Sequence, residues 1–367
     1  MTLSPAARAS GAQPGGETRI ARQLALEAAK ALAFGKPRAA LLMQALARAL
    51  PRCAMARLLE AWPGDLAADA MTFRLCAGLH ALARSGRAPG LAPLYDEGVP
   101  LPEPAALEAA VRAALAAHAA ALEAWIAHPT QTNEVARVAG LAAVLMELNA
   151  RAPMPCEVLE LGCSAGLNLN LAHYACRVGA RTALAAHSAV ELAPVWRGRL
   201  PAVRRVEVVQ ALGVDLKPLD AACPEDCDRL AVYIWPGERA RSQRLDAALA
   251  LARQHPPQIA EGHAGDWLID MLAEPQPSGV RRVVFHSMTM QYVDPLERAM
   301  IEEALEAAGA CAGPERPLMR VGMEWRTDRQ VVELRVTTWD GRGAASATVL
   351  AGHCHPYGEW IEWHGLG

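Results

Sequence analysis

The stretch "LELGCSAGLNLN" (159–170) carries two chemistries that exclude each other. Gly162, Ser164 and Gly166 fit the G-x-S-x-G elbow that lifts a serine nucleophile above an α/β-hydrolase sheet. Begun at Glu160, the same letters form an acidic residue, a glycine turn and a helix start, a loop suited to a nucleotide-like cofactor. The elbow needs a base and an orienting acid, for which the chain offers His286, His353 or His355 with Asp266 or Asp270. The loop reading makes Glu160, Gly162, Cys163, Ser164, Gly166 and Asn168 cofactor-binding residues.

Other residues have types and spacings that could serve the same site. "HPTQTNEV" packs Gln131, Thr132, Asn133 and Glu134 just before a helix. They either line a substrate mouth or cap that helix. His286 and Tyr292 are the catalytic candidates, with His286 at a strand end where a general base is useful. Ser287 and Gln291 beside them are candidate substrate contacts. Trp235-Pro236-Gly237-Glu238 reads as a buried aromatic at a helix start. His353 and His355 would share one face of a strand, and Cys223 and Cys227 are closely spaced. No second ligand pair has standard spacing, so no metal is expected.

The chain has 367 residues, a formal net charge of -3 and 52% hydrophobic residues. That length allows two domains, and that charge gives no long-range attraction for nucleic acid or an anionic membrane. A small-molecule substrate is the partner expected. Nine cysteines without regular spacing and the absence of an apolar leader predict a reduced, cytoplasmic, bacterial-type protein.

The elements that must position these residues change character along the chain. Residues 1–16 are small, polar and Gly/Pro-rich and read as a disordered tail. Residues 17–128 are predicted to form an all-helical domain, with Ala, Leu and Met at helical spacing broken at Gly35-Lys36-Pro37, Pro51 and Pro63-Gly64. Pro104 opens a helix predicted to run through about Ala127. "TQTNEVARVAGLAAVLMELNA" is predicted as the next, with Thr130 or Thr132 as N-cap.

After Pro155 strands alternate with helices. "EVLELG" is a strand entering a glycine turn, "LNLNLAHYA" a helix start, and "RVEVVQALGVDL", "QIAE" and "RRVVFHS" further strands. Three closing strands are expected after residue 316. This pattern predicts a mostly parallel, doubly wound α/β sheet with an antiparallel edge over 129–367. An elbow requires an oxyanion loop from an earlier strand of its sheet, and everything upstream of Ser164 reads as helical. The first strand–turn–helix is where doubly wound folds bind nucleotides, which favours the cofactor loop.

From residue 156 onward the chain resembles a class I S-adenosylmethionine-dependent methyltransferase, a Rossmann-like fold. Its acidic-x-G-x-G-x-G loop is matched by Glu160, Gly162, Ser164 and Gly166, with Ser164 in place of the middle glycine. The resemblance implies S-adenosylmethionine as cofactor, with Asp215 of "GVDLKPLD" on the ribose hydroxyls and Asp266-Trp267 of "GDW" near the adenine. It also implies that the strand ending at His286 faces the methyl group. Asp215 lies 49 residues beyond Gly166 by subtraction, against roughly 20 in the dinucleotide pattern. An insertion over about 175–204 is therefore expected, and Glu191 within it is the competing ribose ligand. A ribose-binding Asp215, at a strand end facing a wet cleft, would have no buried partner.

Over nearly its full length the chain also resembles an uncharacterised bacterial family, domain of unknown function 2332. The similarity lies in "PTQTNEVAR", "LELGCSAGLNLNL", "GVDLKPLD", "YIWPGE", "GDW" and "FHSMTMQY". The function implied is methyl transfer to a small-molecule acceptor. A serine hydrolase using Ser164 and a nucleoside-binding protein without turnover are the alternatives.

Overall fold

The computed structural model describes residues 18–341 and 347–367, so the tail expected over 1–16 lies outside the described residues. The chain divides into two compact units. One comprises the described residues to Thr130 with Trp235–Gly237, the other Gln131–Ile234 with Glu238–Gly367.

The first unit contains α1 (Arg19–Ala33), α2 (Pro37–Ala49), α3 (Ala54–Glu60), α4 (Met71–Arg84), α5 (Ala92–Tyr95), α6 (Pro104–Ala117) and α7 (Ala119–Ile126). Left-handed Gly35 follows α1 and Pro37 opens α2, where its missing N–H leaves nothing unpaired. Leu24, Leu42, Met43, Leu46, Leu75 and Leu79 share its core. The helix expected to run on from Pro104 breaks at His118, where α6 and α7 bend by 87°. His118 leaves helical backbone geometry and its Nε2 lies 3.0 Å from the Arg87 carbonyl. Trp235 is half-buried, edge-on to Phe73 at 5.3 Å between ring centroids. Among the described residues no single helix is long and apolar enough to cross a membrane.

In the second unit, α8 (Val138–Arg151) is mostly buried and apolar until Glu147, Asn149 and Arg151 near its end. It does not begin at Thr130 or Thr132. Residues 131–134 belong to no helix or strand, a 3-10 turn covers Val135–Arg137, and Glu134, extended, is the cap, accepting from the Ala136 N–H. β1 (Cys156–Leu161) follows, all six residues buried, as expected of a parallel strand covered on both faces.

The insertion region forms β2 (Ala175–Val178), β3 (Arg181–Leu184), β4 (Glu191–Leu192) and β5 (Val195–Gly198). Then come β6 (Val208–Asp215), α9 (Pro224–Ala231), α10 (Arg239–Gln254), β7 (Gln258–Glu261), α11 (Ala264–Ala273), β8 (Arg281–Ser287), α12 (Pro295–Ala310) and β9 (Leu318–Trp325). β10 (Val332–Trp339), β11 (Ala347–Cys354) and β12 (Trp360–Trp363) close the chain. Among the described residues four strands thus end it where three were expected. The last stretch splits at a turn in which Gly358 is left-handed (φ 69°) and its N–H reaches the His355 carbonyl.

The central sheet runs β5-β12-β11-β10-β9-β8-β1-β6-β7, and β3-β2-β4 form a separate small sheet. β7, β6, β1, β8 and β9 are parallel, and β9 through β12 are antiparallel neighbours. After β1 the chain builds outward through β6 and β7, then returns to β8 on the other side of β1. Such a reversal opens a crevice at the strands' carboxyl ends. Strand alternation divides the core. Cys156, Val158 and Phe285 pack with α8 and α10, while Leu159, Leu161 and Val284 pack with α11 and α12.

Phe285 sits at the centre of the first core and is 1% exposed. Phe285→Ala should therefore lower unfolding free energy by about 3–5 kcal/mol, read as an earlier urea midpoint with an unchanged slope.

Candidate functional site

The turn leaving β1 is left-handed at Gly162 (φ 68°), Ser164 (φ 55°) and Gly166 (φ 63°). Glycine is required at two of these. A Cβ on Gly162 would run into the Thr289 side chain, and one on Gly166 would lie 2.8 Å from Pro257 and Ile259. Ser164 holds the same conformation with a side chain, at roughly 1–2 kcal/mol, and hydrogen bonds offset that cost. Its N–H donates to Asp215 Oδ2 at 2.9 Å and its hydroxyl to Gln131 Oε1 at 2.8 Å. The Gly162 and Cys163 N–H groups both reach the Val214 carbonyl. Cys163 is buried and fills the space above Gly213, where a Cβ would lie 2.6 Å from its sulfur. Burial raises its thiol well above the ordinary pKa.

The helix start expected after this turn is a 3-10 segment, Leu167–His173, kinked at Asn170. Side chains draw the backbone out of α geometry. Asn168 bonds Glu160, Asn170 donates to the His255 carbonyl at 3.0 Å, and the Tyr174 hydroxyl donates to the Leu167 carbonyl.

Asp215 closes β6 beside the turn, whereas Glu191 lies in the separate small sheet, exposed and paired with Arg177. Asp215 is not without protein partners. Besides Ser164, its Oδ1 accepts the Lys217 N–H at 2.9 Å, and Gln131 Nε2 stands 3.5 Å away. Gln131 also donates to the Lys217 carbonyl, and Asn133 Oδ1 accepts the Leu167 N–H at 2.9 Å. Gln131 and Asn133 therefore brace the turn. Glu134 is buried and accepts from Arg241 Nε at 2.6 Å and Arg244 at 3.1 Å. Burial alone would raise its pKa, but Arg241, Arg244 and Arg137 outweigh it and hold it at about 2. It is the centre of an internal ion network.

Glu160 has the opposite environment. It is 2% exposed, and its Oε1 accepts from Asn168 Nδ2 at 2.8 Å. Its Oε2 and the Asn168 Oδ1 have no hydrogen-bond partner. Burial pushes its pKa up to about 8 against the Asn168 bond, with the charge of Asp215 adding to the rise.

Asp266 is exposed in the first turn of α11, where a carboxylate complements the helix dipole. Trp267 is half-buried and packs against the core of Leu159 and Leu268. Beyond β8, Thr289 packs at Gly162, Gln291 Nε2 donates to the Met288 carbonyl, and Tyr292 is 54% exposed. The Ser287 carbonyl accepts from the Thr289 hydroxyl.

His286 is not placed as a free base. Arg320 Nε, which can only donate, lies 2.9 Å from its Nε2, so the ring proton is on Nδ1 and goes to Glu324 Oε1 at 2.7 Å. Glu324 also accepts the Thr289 and Met290 N–H groups. The His286 side chain lies on the face opposite Glu160, over Gly322, where a Cβ would lie 2.7 Å from its ring. There it lines a cleft of about 530 Å³ with Arg320, Glu324, Arg335 and Trp339. Sequence reasoning missed Arg320 and Glu324, which read only as polar members of "LMRVGMEW". It also missed Arg137, which is 7% exposed and donates to the Pro356 carbonyl at 2.8 Å.

Ser164 donates to an amide, and His353 lies on β11, four strands from β1. Residues 21–363 match the model of a family described as "Uncharacterized protein conserved in bacteria (DUF2332)". The chain belongs to this family. No curated protein and no solved structure matches it. In this DUF2332 chain the segments that resemble the family, "PTQTNEVAR", "LELGCSAGLNLNL" and "GVDLKPLD", contain Gln131, Ser164 and Asp215, which bind one another.

Three outcomes follow for this unit of the DUF2332 chain. Asp215→Ala strands the Ser164 N–H and should destabilise by about 1–3 kcal/mol in urea unfolding. Glu191→Ala should stay within about 0.5 kcal/mol. Glu160 binds its proton more tightly folded than unfolded, so it favours folding at low pH. That contribution should be lost as pH climbs from about 4.5 towards about 8. Urea midpoints from pH 5 to 9 should fall across this window, and less steeply in Glu160→Gln.

Proposed function

We propose that the second unit binds S-adenosylmethionine and is a class I methyltransferase-like Rossmann domain that methylates a small-molecule acceptor. The observation that carries this is the left-handed Gly162–Gly166 turn. It lies at the carboxyl end of β1, where the strand order reverses, with an acid at the end of β6 beside it.

The residues fit the cofactor in kind. The buried, unpartnered Oδ1 of Asn168 is an acceptor that suits an amino group, and the protonated Oε2 of Glu160 beside it is a donor. Asp215 has about four lone-pair sites, of which the protein uses two at 2.9 Å, leaving capacity for a hydroxyl. Exposed Asp266 and half-buried Trp267 offer an acceptor and an aromatic surface for a purine. When bound, the cofactor supplies an electrophilic methyl group.

The protein's part is positioning. Glu324 holds the segment after β8 through two backbone N–H groups, and His286, itself fixed by Arg320, holds Glu324. Ser287, Gln291 and Tyr292 are then the acceptor contacts. With the His286 lone pair already engaged, the reading favours an acceptor atom that carries a free lone pair at neutral pH, for which alignment matters more than proton removal.

Calorimetric titration with S-adenosylhomocysteine tests this. A saturable, single-site heat is expected. Asp266→Ala, which touches no core contact, should weaken it about tenfold to a hundredfold through loss of one charged hydrogen bond. No heat at millimolar ligand with folded protein would sink the reading. Labelling of Ser164 by a fluorophosphonate would favour the hydrolase instead.

A further inference from the structure

The histidines near the end of the chain assemble differently from the face-sharing pair expected of His353 and His355. His355 lies beyond the end of β11 and is 2% exposed. His353 instead meets two residues of β12 and its continuation. Glu362 is its direct cross-strand partner, and His364 follows Glu362 by two, the spacing that returns a strand to the same face. Ile361 and Trp363, the alternate residues, are buried on the other side.

His353 Nδ1 lies 3.7 Å from one Glu362 oxygen and His364 Nε2 3.8 Å from the other. The two imidazoles stand 5.0 Å apart and nearly perpendicular, and one ligand atom from each residue falls within 4.8 Å of the others. Neither 3.7 nor 3.8 Å is a hydrogen bond. Ligand atoms bound tetrahedrally to one ion at about 2.0–2.1 Å lie roughly 3.3–3.5 Å apart, so small side-chain rotations complete the geometry.

We infer that His353, Glu362 and His364 form a binding site for a divalent transition-metal ion of the zinc type. Two imidazoles and one carboxylate select such an ion over calcium or magnesium, which prefer all-oxygen shells. Three protein ligands leave a fourth position open to water or a small ligand. The backbone beneath is firm. A Cβ on Gly352 would run into the Glu362 carbonyl, so the two strands are held at close approach. The neighbouring positive charge is directed elsewhere: Arg197 faces Glu362 across β5, but its guanidinium lies over the Trp360 ring at 4.1 Å. β12 is five strands from β1, roughly 24 Å at about 4.8 Å per strand, so the site stands apart from the Gly162–Gly166 turn.

The test uses the full chain, without a polyhistidine tag, stripped with chelator and then given Zn²⁺ alone. One equivalent of zinc should survive gel filtration, and Co²⁺ should give the visible bands of a tetrahedral site. His353→Ala and His364→Ala should each weaken binding by more than the ~10–100-fold that loss of an outer partner costs. Glu362→Gln, which keeps the shape, should weaken it as well. Far-UV circular dichroism checks that the variants fold. Failure to retain zinc overturns the site. So does zinc that is unaffected by the histidine variants but lost in Cys223→Ala or Cys227→Ala.

Discussion

Once the chain turns left-handed after β1, the Ser164 N–H has no strand partner, and the carboxylate of the neighbouring strand accepts it. Asp215 fixes two backbones at once, the turn after β1 through Ser164 and its own loop through Lys217. Gln131 joins both from a third segment. These elements are far apart in sequence, so the position of the turn is defined only when all three meet. Thr289 then packs on Gly162, which brings the segment after β8 to the same point.

Two buried carboxyl groups in this unit show how environment sets protonation. Glu134 lies among arginines and stays ionised to about pH 2, whereas Glu160 has an amide for company and holds its proton to about pH 8. The first organises structure, since removing any member would leave a buried charge uncompensated. The second keeps a neutral, hydrogen-bond-capable group at the end of the central strand.

Much of this was legible in the letters. Short apolar stretches bounded by glycine or polar residues identified β1, β6 and β8, and the small sheet of β2, β3 and β4 lies in the long interval between the first two. The glycines at 162 and 166 signalled the left-handed turn. Tertiary hydrogen bonds were not legible. That Asp215 is engaged by Ser164, and that Arg320 occupies His286, depends on strands 51 and 34 residues away falling into register. The 3-10 segment after Gly166 was misread for a similar reason, because Asn168 and Asn170 bond to distant partners. His353 was paired with His355 by sequence proximity, while the fold pairs it with residues of the next strand.

The far edge of the central sheet has a bearing on biosynthesis. β5 is made early in the second unit, yet its sheet partner is β12, which starts at Trp360, 165 residues after Val195 by subtraction. During elongation at about 5–20 residues per second, β5 waits on the order of ten seconds before it can pair. Its exposed backbone is then an edge that other chains could capture. Arg197 and Gly198 within it, a charge and a left-handed residue, are features that blunt such an edge. The sequence of this short strand therefore suits the interval before its partner emerges as well as the sheet it finally joins.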